Sequence, residues 1–369
     1  MSSALGMRQQ KIANAITGDN STGHKAQALL VTDLNNVRWV TGFSGSNAAA
    51  LLGPDVFAVA TDGRYRDQVL EQTSEVDLDV VIERACAQAM LQHAGAAGLR
   101  TVAVEVDDLV VEQLDALTTL AGVLGLELIH TSGVIAASRY VKDAGEIGLL
   151  RRACQVSVDA LSELAPFIGV GQTEIEIARR LEVLMGTHGG DDRAFPTIVA
   201  TGSNSAIPHH DPTLARVSAG DLLKIDFGAL VEGYHADCTR TFVVGGDPRP
   251  WQIEIHEVVQ RAAHAGRAML KPGVDVVAVD QSARSIVTDA GFGENFSHGL
   301  GHGVGLEIHE APLFAPEAAG RLEAGVVATI EPGIYLPGRG GVRIEDTCLV
   351  TDFGHEVLTV LDRGLVRLG

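Results

Sequence analysis

The chain has 369 residues, beyond what one compact core usually organises, and 46% of them are hydrophobic, so two domains with sizeable cores are expected. Its 28 basic against 47 acidic side chains give a net charge of −19 with histidine neutral. That balance argues against nonspecific binding to nucleic acid or anionic membrane, both of which need a basic surface. Four scattered cysteines (Cys86, Cys154, Cys238, Cys348) with no CxxC pair exclude a disulfide scaffold and a zinc ribbon.

The opening MSSALGMRQQ lacks a basic segment followed by an apolar run and a cleavage site. No later run approaches the ~18–20 apolar residues of a membrane span, so a soluble, cytoplasmic protein is expected. Residues 1–23 show little periodicity and read as an N-terminal segment, mobile in part. From Lys25 onward, AQALLVTD and VFAVATD read as strands between Gly- and Asn-rich turns, with helices near 83–98 and 109–125 and a strand at ELIHT. Residues 24–135 are therefore expected to form an α/β domain, with a boundary near Gly133–Asp143.

Beyond the boundary, Ile147, Leu150, Cys154, Val158, Leu161 and Leu164 recur at helical spacing, and Pro166 and Gly169–Gly171 end that helix. A second helix begins after Thr173 with Glu174 and Glu176 in its first turn, where the helix dipole favours acids. Strands follow from Pro196 to Gly246, then helices at Trp251–Leu270 and Val274–Asp289, then Gly-rich strands. The order helices, strands, helices, strands suggests an α+β duplication.

The letters themselves carry the repeat. SAGDLLKIDFG (218–228) and EAGVVATIEPG (323–333) align with Asp226 upon Glu331, 105 residues on. Each is followed by a second acid two residues before a threonine: Asp237 before Thr239, and Glu345 before Thr347. The second offset is 108, so the later half has three extra residues in its hairpin, and GQTEIEIARR and GVDVVAVDQS match roughly as the preceding helices. Asp226, Asp237, Glu331 and Glu345 all lie among buried-type residues, where four ionised carboxylates would be costly together. A pair of divalent cations answers four negative charges with four positive ones. SHGLGHGVGLEIHEAP (297–312) offers a further ligand among His298, His302 and His309, on glycines that let the backbone approach a centre closely. A dinucleotide loop is disfavoured there, because no strand-turn-helix context surrounds the GxG. One histidine with four carboxylates makes an oxygen-rich site that suits Mn²⁺ and tolerates Co²⁺ or Zn²⁺.

IDFGALVEGYHADCTRTF, HGLGHGVGLEIHE, TIEPG and GVRIEDT resemble the motifs of the pita-bread metallopeptidases, strongly over 140–366. TDLNNVRWVTGFSGSNAA and ATDGRY resemble the creatinase-like N-terminal domain of their Xaa-Pro branch, the prolidases and aminopeptidases P of bacterial cytoplasmic type. The resemblance implies a creatinase-like α/β domain at 24–135 and a pseudo-twofold α+β pita-bread catalytic domain at 140–366. It implies that Asp226 chelates one metal, that His302 and Glu331 bind the other, and that Asp237 and Glu345 bridge the two. It further implies that His209, preferred to His210, and His309 act at the scissile bond, with His298 in support and Glu331 as general base. Arg343, on the face of Glu345, would orient ligands or bind substrate. Thr239, on the face of Asp237, would brace that carboxylate.

The expected reaction is hydrolysis of the bond between an N-terminal residue and proline in short peptides, by a hydroxide shared between two metals. A homodimer is implied by the same resemblance. The rival readings are a metallo-aminopeptidase of other specificity, a non-catalytic peptide-binding relative and a metal-free creatinase-type hydrolase.

Overall fold

The computed structural model describes residues 4–17 and 26–369, and the chain divides into two compact units, Met1–Arg139 and Tyr140–Gly369. Among the described residues, no helix is long and apolar enough to cross a membrane.

The first unit is built on a six-stranded mixed sheet. Ala28–Val31 lies at its middle, antiparallel to Ala48–Leu52 and parallel to Thr101–Glu105. Phe57–Thr61 and Asp79–Ile82 extend one side, and Glu127–Thr131 the other. The near-continuous apolar runs ALLV and AAALL are buried throughout, as expected of strands covered on both faces. Met90 and Leu91 of helix Cys86–Ala96 and Leu117 of helix Val111–Leu124 pack into the core formed with this sheet.

One expectation fails in this unit. Residues 4–17, read from sequence as irregular and partly mobile, form a helix that buries Ile12, Ala13 and Ile16. Its apolar stripe is too narrow to register as a period. It is held instead by polar contacts: Arg8 donates to the Trp39 carbonyl and stacks on the Trp39 ring, and Lys11 donates to the Ser138 carbonyl. The rest of the expected mobile segment, 1–3 and 18–23, lies outside the described residues, as does Lys25, where the strand pattern was taken to begin.

The second unit repeats one plan twice. Helices Ala144–Leu164 and Glu174–Thr187 precede the first set of strands, and helices Pro250–Ala268 and Val276–Asp289 precede the second. Three of these helices start on side-chain caps that the sequence supplies. Asp143 with Glu146 and Thr173 with Glu176 form capping boxes, and Asp275 accepts from the Val277 amide. The first half contributes a four-stranded sheet in the order Arg367–Leu368, Cys238–Val244, Asp221–Phe227, Ile198–Thr201. The second contributes five strands in the order Glu310–Phe314, Gly301–Gly303, Val327–Ile330, Asp346–Thr351, Gly354–Val357.

In each half the paired strands are linked by a smaller hairpin. In the first, Glu232 (φ 47°) and Gly233 (φ 78°) make the two-residue turn between Ala229–Val231 and Tyr234–His235. Positive φ at both turn residues is what a tight hairpin requires. In the second half, Gly333–Leu336 pairs with Gly340–Arg343 across a three-residue loop. The extra length changes the register. Asp226 faces Thr239, whereas Thr347 faces Thr329 and not Glu331, a slip of two residues. An even slip leaves every side chain on its original face, so both pairs of acids still point the same way.

Candidate metal centre

Four hairpin acids and one histidine meet at a single cavity of about 380 Å³. Asp226 sits one residue before the end of its strand, and Asp237 immediately precedes the returning one. Glu331 follows Val327–Ile330, and Glu345 lies between the strands Gly340–Arg343 and Asp346–Thr351. His302 is carried by the short strand Gly301–Gly303, hydrogen-bonded to Val327–Ile330. All five side chains line the cavity, and one donor atom each from Asp237, His302 and Glu345 lies within 4.8 Å of the others.

The hydrogen bonds leave a donor set open toward the cavity. His302 Nδ1–H donates to the Gly303 carbonyl at 3.0 Å, which turns Nε2 to the acid cluster: its proton bonds Glu331 while no cation is bound, and its lone pair is the ligand once that proton leaves. That Nε2 lies 3.3 Å from Glu331 Oε1 and 3.6 Å from Asp237 Oδ2. Asp226 Oδ1 and Glu345 Oε1 are buried and have no hydrogen-bond partner. A buried carboxylate oxygen without a partner is costly, and a cation is the ligand that would satisfy it. Hard oxygens with one imidazole nitrogen are the donor set of a divalent metal site. The residues present therefore fit the metal pair expected from the sequence.

The electrostatics point the same way. Burial pushes the Asp237 carboxyl well above the usual carboxylate range, and the charges of Glu345, Asp226 and Glu331 push it further. Burial likewise raises Glu345, reinforced by Glu331 and Asp226. Burial would raise Glu331 too, but its hydrogen bond and charge interaction with His302 prevail and bring it down to about 2. Without cations, the four carboxyls are too crowded to ionise together.

Thr239 and Arg343 have these partners in the structure. Thr239 was expected to brace Asp237. Its hydroxyl instead donates to Glu345 Oε2 at 2.6 Å, because the two halves meet there, and it accepts from Arg343 Nε at 3.0 Å. Arg343 was expected to orient ligands or bind substrate; its guanidinium is bonded to other residues of the chain. It donates to Asp226 through Nη2 and to Tyr335 Oη (2.7 Å) and the Pro208 carbonyl (3.2 Å) through Nη1. With Nε on Thr239, every guanidinium nitrogen is engaged inside the protein.

The histidines separate by exposure. His209 and His309 are exposed and line the cavity, and both also line an adjoining cavity of about 310 Å³. The His309 ring stands edge-on to His302, centroids 4.4 Å apart. His210 also borders the larger cavity, but it is buried and bonded to Glu174 at 2.8 Å. His298 lines the smaller cavity with both ring nitrogens engaged, on the Gly299 carbonyl (2.7 Å) and the Tyr335 hydroxyl (3.0 Å). Burial lowers its pKa and favours the neutral ring.

Sequence reasoning missed Tyr335, which joins Arg343 to His298, and Thr329, whose hydroxyl accepts from the His302 amide and contacts Glu331 Oε1 at 3.3 Å. Tyr335 lies in the extra hairpin, where a strand pattern alone gives it no special weight. Thr329 had a readable signal, a lone hydroxyl in the apolar run VVATI two residues before Glu331.

Comparison with known proteins agrees with this geometry. Residues 148–352, more than half of the chain, match metallopeptidase family M24, and residues 19–141 match the Creatinase/Prolidase N-terminal domain. An uncharacterised peptidase of Bacillus subtilis is 34% identical over 92% of this chain and 95% of its own. The structure is similar to an Xaa-Pro dipeptidase from Bacillus anthracis (TM-score 0.92, 33% identity, covering 99% of this chain and 100% of that one). It is also similar to an X-Pro aminopeptidase from Thermotoga maritima (TM-score 0.86, 33% identity, covering 93% and 98%). With a creatinase-type N-terminal domain ahead of a duplicated catalytic domain, the chain belongs to metallopeptidase family M24.

Proposed function

We propose that this protein hydrolyses the bond between an N-terminal residue and proline in short peptides, as a metal-dependent Xaa-Pro dipeptidase or aminopeptidase. The observation that carries the reading is the convergence of Asp226, Asp237, His302, Glu331 and Glu345 on one cavity, with two buried carboxylate oxygens awaiting a partner. The preference for proline is supported by likeness to the Bacillus anthracis and Thermotoga maritima proteins, whose names specify that bond.

In this reading Asp226, Asp237, His302, Glu331 and Glu345 would hold two divalent cations, Asp237 and Glu345 serving both. Manganese suits the oxygen-rich set, and cobalt or zinc is tolerated. A cation pair at these ligands would supply a lowered pKa for bound water and polarisation of the scissile carbonyl. The protein's own groups do the remaining work. His209 and His309 direct ring N–H groups at the carbonyl oxygen as it gains charge. Glu331 accepts a proton from the attacking water and passes it to the departing proline nitrogen, which leaves as an amine. His298 and Arg343, their polar atoms committed within the protein, hold Tyr335, Asp226 and Thr239 in place.

The larger cavity also has apolar walls from Phe195, Pro196, Ile198 and Ile308. An X-Pro bond brings no amide N–H, so apolar walls cost it nothing, whereas an ordinary amide would be stranded there. Protein stripped of metal and reloaded with Mn²⁺, Co²⁺ or Zn²⁺ should cleave Ala-Pro or Ala-Pro-Ala at least ~10-fold faster than Ala-Ala or Ala-Ala-Ala. Equal rates on proline and non-proline substrates would overturn the specificity. The ratio between dipeptide and tripeptide decides between dipeptidase and aminopeptidase.

A further inference from the structure

His209 is presented by an irregular segment, 202–213, that contains one short 3-10 turn, Gly202–Ala206, and no strand. Buried charges hold that segment. Glu174, fully buried at the start of helix Glu174–Thr187, accepts five hydrogen bonds from it and from its leading residue. Oε1 takes the Thr201 amide (2.8 Å) and the Asn204 side chain (3.0 Å). Oε2 takes His210 (2.8 Å) and the amide and hydroxyl of Thr213 (2.9 and 2.7 Å).

The two residues just before His209 are held differently. Lys224, also fully buried, donates from Nζ to the carbonyls of Ile207 (2.6 Å) and Pro208 (3.1 Å), and its ammonium stands 5.1 Å from the centre of the Tyr335 ring. Arg343 Nη1 adds a second donor to the Pro208 carbonyl. A lysine within the apolar strand LLKI is expensive, since burial strips its amine of water and, with the Arg343 charge, pulls its pKa well down. The aligned position in the second half is the uncharged Thr329. The internal symmetry of the fold therefore does not demand a cation at this point.

We propose that Lys224 is a positioning residue for His209: by fixing the Ile207 and Pro208 carbonyls, it sets where the His209 ring enters the cavity. This rests on the reading of His209 as a group that acts on the substrate. Lys224→Met keeps the length of the stem and removes the donors. Lys224 and His209 therefore belong in a double-mutant cycle, measured on the metal-loaded protein with Ala-Pro as substrate.

Lys224→Met should lower kcat about 10- to 100-fold, with KM little changed and metal content equal to that of the parent. Added to His209→Ala, it should cost almost nothing more. If Lys224→Met does not accumulate folded, Lys224→Gln, polar but too short to reach both carbonyls, takes its place in the cycle. Additive losses, a parent-like kcat, or loss of metal in place of loss of kcat would overturn the positioning role. If His209→Ala itself turns over like the parent, the role assigned to His209 falls and this proposal with it. Additive losses beside an impaired His209→Ala remove only the proposal.

Discussion

Glu345 is where the two halves of the catalytic unit touch chemically. One of its carboxylate oxygens accepts from Thr239 of the first half, and the other is buried without a partner. Strand alternation puts Thr239 on the face of Asp237, but alternation within one strand cannot say which acid of the opposite half lies within reach. Thr239→Val keeps the shape and leaves both Arg343 Nε and Glu345 Oε2 unpaired. It should cost about 1–3 kcal/mol of stability and weaken metal affinity about 10- to 100-fold. Thermal melts and elemental analysis check both, and unchanged metal affinity would show that the hydroxyl does not hold Glu345. The histidines make a second contrast. His302→Ala removes the imidazole whose Nε2 lies 3.3 Å from Glu331 and 3.6 Å from Asp237, so metal occupancy and turnover should fall together. His209→Ala should lower kcat/KM by about 10²–10³ with metal retained. Full metal content in His302→Ala at low metal concentration would mean that the ligand lies elsewhere in HGLGH.

At the level of elements, the helices of the catalytic unit were legible because caps and period agree: Thr173 with Glu176, and the three-and-four spacing from Ile147 to Leu164. The acids of the duplicated hairpins were legible because repetition 105 and 108 residues apart marks positions that composition does not. What escaped was set by contacts between elements. Helix Ala4–Thr17 has a weak stripe of its own and owes its place to Trp39 and Ser138. Glu174 read as a first-turn acid and Lys224 drew no reading of its own, because the segment they hold is placed by contacts between elements. Glycine supplies an element-level test. A Cβ at Gly228 would lie 1.7 Å from the Ala236 carbonyl oxygen, and both are backbone positions between Asp226 and Asp237. Gly228→Ala must spread that hairpin and separate the two acids. It should cost at least ~1–3 kcal/mol of stability and reduce metal occupancy. Gly148→Ala, on a helix where a Cβ meets nothing within 4 Å, serves as the control: it should leave metal occupancy unchanged and raise stability by about 0.5–1 kcal/mol.

For the whole molecule, folding and metal loading are linked through protons. Burial, with the neighbouring carboxylates, holds Asp237 and Glu345 well above the ordinary carboxylate range. In the protein stripped of metal, both keep a proton when folded at pH values where the unfolded chain has released it. The folded state then binds more protons, so this contribution to stability is full below the ordinary carboxylate pKa of ~4 and declines as pH rises toward the raised values. Cations reverse the slope. They favour the ionised carboxylates, expel the protons and bind the native state alone, which adds about 2.7 kcal/mol when free metal is a hundredfold above Kd. Stripped protein should therefore lose Tm as pH rises above the ordinary carboxylate range of ~4, and added Mn²⁺ should restore it most at the upper end. Glu345→Gln, with one raised carboxyl fewer, should flatten the slope of the stripped protein and shrink the restoration. Thermal melts as pH is raised, with and without Mn²⁺, together with proton release on metal titration, test the linkage. A stripped protein whose Tm climbs steadily over the same rise, with no protons released by Mn²⁺, would mean that these carboxyls are already ionised without cations.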